Sequence, residues 1–116
     1  MHLPEQAKLL RIYLIETTRH KGKPVYELIV LKAKEIGLAG ATVLRGIMGF
    51  DHGSRIYSSK VLELSQDLPL VVEIVETQEN IDRLMPFIDE IFEGTPHPGL
   101  VTIEDINVIK YKPTKN

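Results

Sequence analysis

The stretch "LPLVVEIVETQENIDRLMPFIDEIFEGTPHPGLVTIEDINVIKY", residues 68–111, decides the fold of this 116-residue chain. Its first nine residues, Leu68–Glu76, are mostly apolar and rich in β-branched side chains, which predicts a strand. Thr77 can cap the helix that follows, where apolar side chains recur at helical spacing. Pro86 lies inside that helix and is expected to kink it. The closing "LVTIEDINVIKY", Leu100–Tyr111, predicts a second strand.

The first half of the chain repeats this order of elements. "AKLLRIYLIE", Ala7–Glu16, predicts a strand that is apolar on one face and mostly apolar on the other. Pro24 sits where a first helical residue often does, and apolar positions repeat at helical spacing until Gly37. "ATVLRGIMGF", Ala41–Phe50, predicts the next strand. The complete order is βαββαβ.

This order predicts an α+β, ferredoxin-like fold, in one domain that spans residues 1–116. Right-handed crossovers place both helices on one face of a four-stranded antiparallel sheet. The other face then carries Leu9, Tyr13, Val71 and Val75, or their neighbours if the register is reversed. Either register leaves a largely apolar surface, which predicts a homo-oligomer that packs through its sheets.

The amino-acid composition of the chain excludes several classes of function. The chain is 43% hydrophobic and 26% charged with a net charge of -2, so it has no basic surface for bulk nucleic-acid binding. It contains no cysteine, which excludes disulfides, a thiolate nucleophile and a cysteine-based zinc site. No signal peptide is recognisable, and the apolar runs are too short to span a membrane. We therefore expect a cytoplasmic protein without direct membrane insertion.

Two strings resemble the PII-like signalling proteins. "GLAGATVLRGIMGF", Gly37–Phe50, is similar to the helix end, strand and "GF" entry into the T-loop of that superfamily. Residues 68–111 are similar to its third strand, second helix, B-loop and fourth strand. The "RGIMGF" string is typical of a branch of short, uncharacterised PII-like proteins. The resemblance covers nearly the whole chain.

The resemblance implies a homotrimer that binds adenine nucleotides in the clefts between subunits. A T-loop at about residues 50–66 would present the ligand state to a membrane transporter or a metabolic enzyme, and a short B-loop at about residues 94–99 would hold phosphate. No cofactor is required beyond the nucleotide. The nucleotide-binding residues carried over or inferred are Thr42, Arg45, Gly49, Phe50, Asp51, His52, Arg55, Thr95, His97 and Gly99.

The B-loop departs from the "TGxxGDGK" pattern of many PII proteins. Thr95 and Gly99 remain, but the loop is shorter, it contains two prolines, and Leu100 stands where the phosphate-binding lysine would be. Proline has no amide hydrogen to donate to a phosphate. We therefore expect AMP or ADP rather than ATP. One extra residue between Thr42 and Gly49 is consistent with a bulge in the strand at Gly46.

Arg45 is the stronger of the two arginine candidates. Its guanidinium suits phosphate oxygens, and it lies in an otherwise apolar strand where burial demands an anionic partner. That partner can be a ligand or a structural carboxylate such as Glu73 on the neighbouring strand. Most arginine side chains in proteins are exposed to solvent and bind no ligand, and this is the alternative interpretation of Arg55. Gly49 likewise either admits a ligand or only allows the strand to end.

No catalytic or metal-binding motif is recognisable. The serines of the T-loop lack a nucleophile elbow, and Glu104 and Asp105 point to opposite faces of a strand. The four histidines have no metal-pair spacing. We expect a protein that is not an enzyme. Two alternatives stay open: a CutA-like metal-handling protein or small enzyme on the same fold, and an interaction module without a small ligand.

Overall fold

The computed structural model describes residues 3–50, 56–58, 67–96 and 98–113. Within these residues two helices and eight strands follow the predicted order, with four of the strands very short. The long elements are β1 (Gln6–Ile15), α1 (Val25–Glu35), β4 (Thr42–Arg45), β7 (Pro69–Glu76), α2 (Gln78–Glu93) and β8 (Leu100–Asn107). The short strands are β2 (Arg19–His20), β3 (Lys23–Pro24), β5 (Met48–Gly49) and β6 (Tyr57–Ser58).

Among the described residues, the main sheet has four strands in the order β4-β7-β1-β8, and each pair of neighbouring strands is antiparallel. β1 and β7 are central, with Leu10 opposite Ile74 and Ile12 opposite Val72. β4 and β8 form the two edges. The ferredoxin-like α+β fold predicted from the sequence is therefore confirmed.

The core lies between the sheet and the two helices. One face of each central strand contributes residues that are nearly inaccessible to solvent, and each helix contributes an apolar stripe. These buried residues are Leu10, Ile12, Leu14, Val25, Ile29, Ala33, Leu38, Val72, Ile74, Ile81, Leu84, Ile88 and Ile91. Burial of this apolar surface is the main favourable term for folding.

Local signals in α2 act as predicted at both helix ends. The Thr77 hydroxyl accepts a hydrogen bond from the Asn80 amide at 3.1 Å, which caps the helix. The helix then continues through Pro86 and ends at Gly94.

Two predicted strands are shorter in the structure. The strand predicted over Ala41–Phe50 is interrupted after Arg45, and its last part forms the separate β5–β6 hairpin. Gly46 donates its amide to the Pro69 carbonyl at 2.7 Å, so pairing with β7 ends at this glycine. The strand predicted to reach Tyr111 ends at Asn107.

The sheet face opposite the helices is open in the single chain. Leu9, Tyr13, Val71 and Val75 lie on it, so the register chosen from the sequence is confirmed. Tyr13 keeps 37% of its surface exposed and Leu44 keeps 48%. This face of the sheet therefore carries apolar side chains that are exposed to solvent in the single chain.

Candidate ligand-binding cleft

A cleft of about 660 Å³ lies at one end of the sheet, where β4 begins and β7 and β8 end. Thr42 stands at its floor, directly opposite Glu73 on β7. One wall is the loop before β4, residues 39–41, and the other is the chain that leaves β8, residues 108–111. A pocket of 300–1,000 Å³ is the usual size for a small ligand or cofactor.

Glu73 brings a carboxylate to this cleft and is held in place by Arg11. The Arg11 Nε donates to Glu73 at 3.0 Å and its Nη1 donates to Glu104 at 2.6 Å. The hydrogen bond to Glu73, followed by the negative charge of Glu104, raises the pKa of Arg11 above its ordinary value. Arg11 therefore remains cationic and orients Glu73 from the open face of the sheet.

Arg45 does not reach the cleft. It is three residues from Thr42 on the same strand, which places it about 10 Å away and on the opposite face of the sheet. Its guanidinium forms an ion pair with Glu16 and keeps 60% of its side chain exposed. The alternative that Glu73 is its partner was wrong, because Glu73 is already bound by Arg11.

Gly49 packs against the start of β7. A Cβ atom at Gly49 would lie 3.2 Å from the Pro69 side chain, and one at Gly46 would lie 3.0 Å from it. Phe50 follows with 75% of its surface exposed. The predicted contacts Asp51, His52 and Arg55 lie outside the described residues, as does most of the predicted T-loop.

The α2–β8 turn lies at the same end of the sheet as Gly49 but at the opposite edge. Thr95 is only 6% exposed, and its hydroxyl lies 3.4 Å from the His20 Nδ1 atom. Gly99 has φ +143°, and a Cβ there would lie 2.0 Å from the Tyr13 carbonyl oxygen. His97 lies outside the described residues. Three interstrand spacings separate the two edges, about 14 Å.

The described candidates therefore occupy three places. Thr42 lines the cleft, Arg45, Gly49 and Phe50 mark the exit of β4, and Thr95 and Gly99 mark the α2–β8 turn. One chain does not bring these groups around a single small ligand. As nucleotide contacts, all ten residues therefore stay predictions.

Sequence reasoning missed one part of the cleft and one buried residue that holds a wall of the cleft in place. The first is the segment after β8, where Lys110 and Tyr111 line the wall although the sequence predicted a continued strand. The second is Glu76, which is 1% exposed at the end of β7. Charged residues inside the apolar run "VVEIVE" were the available signal, because a charge in such a run needs a partner.

The described part of the chain, residues 3–50, 56–58, 67–96 and 98–113, contains neither a three-ligand metal site nor a helix able to span a membrane. Among these residues, no group of three or more histidine, aspartate or glutamate side chains is arranged to hold a metal ion. No helix in the same ranges combines the length and apolar character that crossing a membrane requires.

The fold is similar to that of solved PII-like proteins. CPII, a nitrogen regulatory PII-like protein from Thiomonas intermedia K12, superposes with a TM-score of 0.68 over 90% of both chains at 21% identity, in a structure bound to ADP, AMP and bicarbonate. Another CPII structure, bound to ADP and bicarbonate, gives a TM-score of 0.66 at 22% identity over the same shares of both chains.

Sequence relatives define the family of the chain. Residues 7–108 match the DUF190 family, described as "Uncharacterized ACR". A UPF0166 protein from Aquifex aeolicus is 45% identical over 102 residues, which is 88% of this chain and 92% of the relative. A UPF0166 protein from Methanocaldococcus jannaschii is 37% identical over 106 residues, 90% of this chain and 94% of the relative. The chain belongs to the DUF190 (UPF0166) family.

Proposed function

We propose that this protein is a cytoplasmic regulatory protein of the PII-like kind, and not an enzyme. It binds an adenine nucleotide, AMP or ADP in preference to ATP, in clefts between the subunits of a homotrimer. Its T-loop, at about residues 50–66, passes the ligand state to a membrane transporter or a metabolic enzyme. The observation that carries the proposal is the similarity of nearly the whole fold to CPII, whose structure is bound to ADP and AMP.

The cleft supports the proposal through its chemistry. The Thr42 hydroxyl and the Glu73 carboxylate can hydrogen-bond to the polar edge of a base or to a ribose. Val75 and Ile106 supply apolar contact to a ring, and Lys110 supplies a positive charge for phosphate. A negatively charged nucleotide needs such a cation, because Glu73 itself is anionic.

The positions of the other candidate nucleotide-binding residues support binding sites that lie between two subunits. The β4 edge carries Arg45 and Gly49, and the β8 edge carries Gly99, about 14 Å away. In a ring of copies, the β4 edge of one subunit meets the β8 edge of the next. A ligand between them then contacts candidates from both edges.

Thermal unfolding with added nucleotide tests the proposal. AMP or ADP at millimolar concentration is expected to raise the melting temperature, since a ligand that binds only the folded state stabilises it by RT ln(1 + [L]/Kd). ATP and cyclic AMP serve as comparison ligands. No shift with any of the four nucleotides would refute the nucleotide part of the proposal.

A pair of threonine variants locates the site. Thr42→Val is expected to weaken ADP binding about fivefold, because it removes one hydroxyl from the cleft and keeps the side-chain volume. Thr102→Val is the matched control, since Thr102 lies on the same sheet face on β8, opposite Arg11, and does not line the cleft. Isothermal titration calorimetry measures both. Equal losses in the two variants would place the ligand elsewhere.

A further inference from the structure

The loop before β4 is attached at two points, once to Glu76 at the end of β7 and once to Arg83 on α2. Glu76 Oε2 accepts a hydrogen bond from the Ala39 amide at 2.8 Å. Arg83 Nη2 donates to the Ile36 carbonyl at 2.9 Å. Ala39 is itself a wall residue of the cleft, so these bonds connect α2 to the cleft although α2 packs on the other face of the sheet.

Glu76 is a buried carboxylate with donors on both oxygens. Its Oε1 accepts from the Thr77 amide at 2.7 Å and from Asn80 Nδ2 at 3.1 Å, while Oε2 takes the Ala39 amide. Only 1% of Glu76 is exposed. Burial of a carboxylate is costly unless hydrogen bonds satisfy it, and the N-terminus of α2 adds a favourable dipole. A simple core position would be filled at lower cost by an apolar residue.

Arg83 completes the attachment from the surface. Its Nη1 donates to the Asn80 side-chain oxygen at 3.2 Å, and Asn80 in turn donates to Glu76. Glu76, Asn80 and Arg83 therefore form one connected network, which we name the α2 bracket. The α2 bracket binds the chain at Ile36 and at Ala39, the first residue of the wall formed by residues 39–41.

We propose that the α2 bracket is a positioning device for the ligand cleft, in which Glu76 and Arg83 set the conformation of loop residues 36–41 and thereby the affinity for a nucleotide. This inference rests on the proposed nucleotide binding for its affinity readout. Of the side-chain hydrogen bonds that join the α2 bracket to its surroundings, the one to Ala39 reaches a residue that lines the cleft, so these side chains act through the loop. When the wall is already ordered before binding, no conformational entropy is lost in ordering it, and the affinity for the ligand is higher.

The main test compares two variants at the junction between β7 and α2. Glu76→Gln preserves side-chain shape but replaces one acceptor oxygen with a donor; the remaining oxygen is expected to stay with the two donors Thr77 and Asn80, so the contact to Ala39 is lost. Thr77→Ala is the matched control: it removes the helix cap and leaves the Glu76–Ala39 bond in place. ADP affinity is expected to fall about tenfold in Glu76→Gln and less than twofold in Thr77→Ala. Equal losses would overturn the proposal.

A second pair keeps the test valid if Glu76→Gln does not fold. Arg83→Ala removes an exposed side chain and its bond to Ile36, and is expected to weaken ADP binding about threefold. Lys34→Ala removes the same charge from the exposed end of α1 and is expected to leave affinity unchanged. An equal loss in both variants would assign the effect to net charge and overturn the positioning role of Arg83.

Amide hydrogen exchange separates this proposal from the proposed function. Without any nucleotide, exchange at Ala39 and Gly40 is expected to be at least tenfold faster in Glu76→Gln than in Thr77→Ala, measured at equal distance from each melting temperature. If the unmodified protein binds no nucleotide but the exchange difference is present, only the proposed function fails. If exchange is equal in the two variants, the α2 bracket does not position the loop.

Discussion

Gly99 has a role in this chain that does not depend on a ligand. Its φ is +143°, and a Cβ atom at this position would come within 2.0 Å of the Tyr13 carbonyl oxygen, which leaves no room for a side chain. Gly99→Ala is therefore expected to lower the free energy of unfolding by about 3 kcal/mol or more. Gly40→Ala is the control, since a Cβ there meets no atom within 4 Å, and it is expected to change stability by less than about 0.5 kcal/mol. Urea denaturation measures both, and similar midpoints would contradict the close approach.

Arg45 and Glu16 allow a second prediction at the residue scale. Glu16 holds the guanidinium of Arg45, and its Oε1 has no hydrogen-bond partner among the described residues. If Arg45 binds a ligand phosphate, Glu16 competes with that phosphate for the same cation. Arg45→Ala is then expected to weaken ADP binding about fivefold, and Glu16→Gln to strengthen it about threefold.

The opposite signs of these two effects are the critical result. Because Arg45 is 60% exposed, loss of the pair itself is expected to cost less than about 1 kcal/mol of stability in either variant. Calorimetric titration of ADP gives the affinities and thermal unfolding gives the stabilities. Two variants with unchanged affinity would leave Arg45 with a structural role alone.

Among the elements, α2 contains an unfavourable residue that the fold tolerates. Pro86 lies inside Gln78–Glu93, is exposed, and donates no hydrogen bond to the carbonyl of Asp82. Pro86→Ala restores that donor and is expected to raise the free energy of unfolding by about 1–2 kcal/mol, after the greater freedom of the unfolded chain is subtracted. The urea midpoint measures the change. A lower midpoint would mean that packing of α2 depends on the proline.

For the whole molecule, the open sheet face predicts how copies assemble. Leu44 on that face and Leu31 on the outer side of α1 are both exposed in the single chain, at 48% and 63%. Leu44→Glu is expected to convert the oligomer to monomers, because it places a charge in an interface that excludes water. Leu31→Glu, the same substitution on the helix layer, is expected to leave assembly unchanged.

Light scattering coupled to size-exclusion chromatography reads the result as a molar mass. The unmodified chain is expected to run as a trimer of 13.1 kDa subunits. A monomeric unmodified protein would contradict assembly through the sheet face. So would an oligomer that persists in Leu44→Glu but dissociates in Leu31→Glu.

Element order and the direction of the apolar faces were accessible from the sequence alone. Period-2 and period-3.6 patterns in residues 68–111, with Thr77 as a cap and Gly94 as a stop, specify strand, helix and strand by local physics. Handedness of the crossovers then leaves one arrangement of the helices on the sheet. The resemblance to PII-like proteins followed from the same residues.

The partners of charged residues were decided by the tertiary structure. For Arg45 the sequence suggested a ligand or a structural carboxylate such as Glu73; strand register placed Glu73 beside Arg11, and Arg45 pairs with Glu16, which the sequence had not suggested. Glu76 and Ala39 are 37 residues apart, and the antiparallel pairing of β4 with β7, which sets Thr42 opposite Glu73, brings the Ala39 amide to 2.8 Å from the Glu76 carboxylate. Local sequence patterns report which face a residue occupies, but ion pairs and clefts depend on contacts between elements that are remote in the chain.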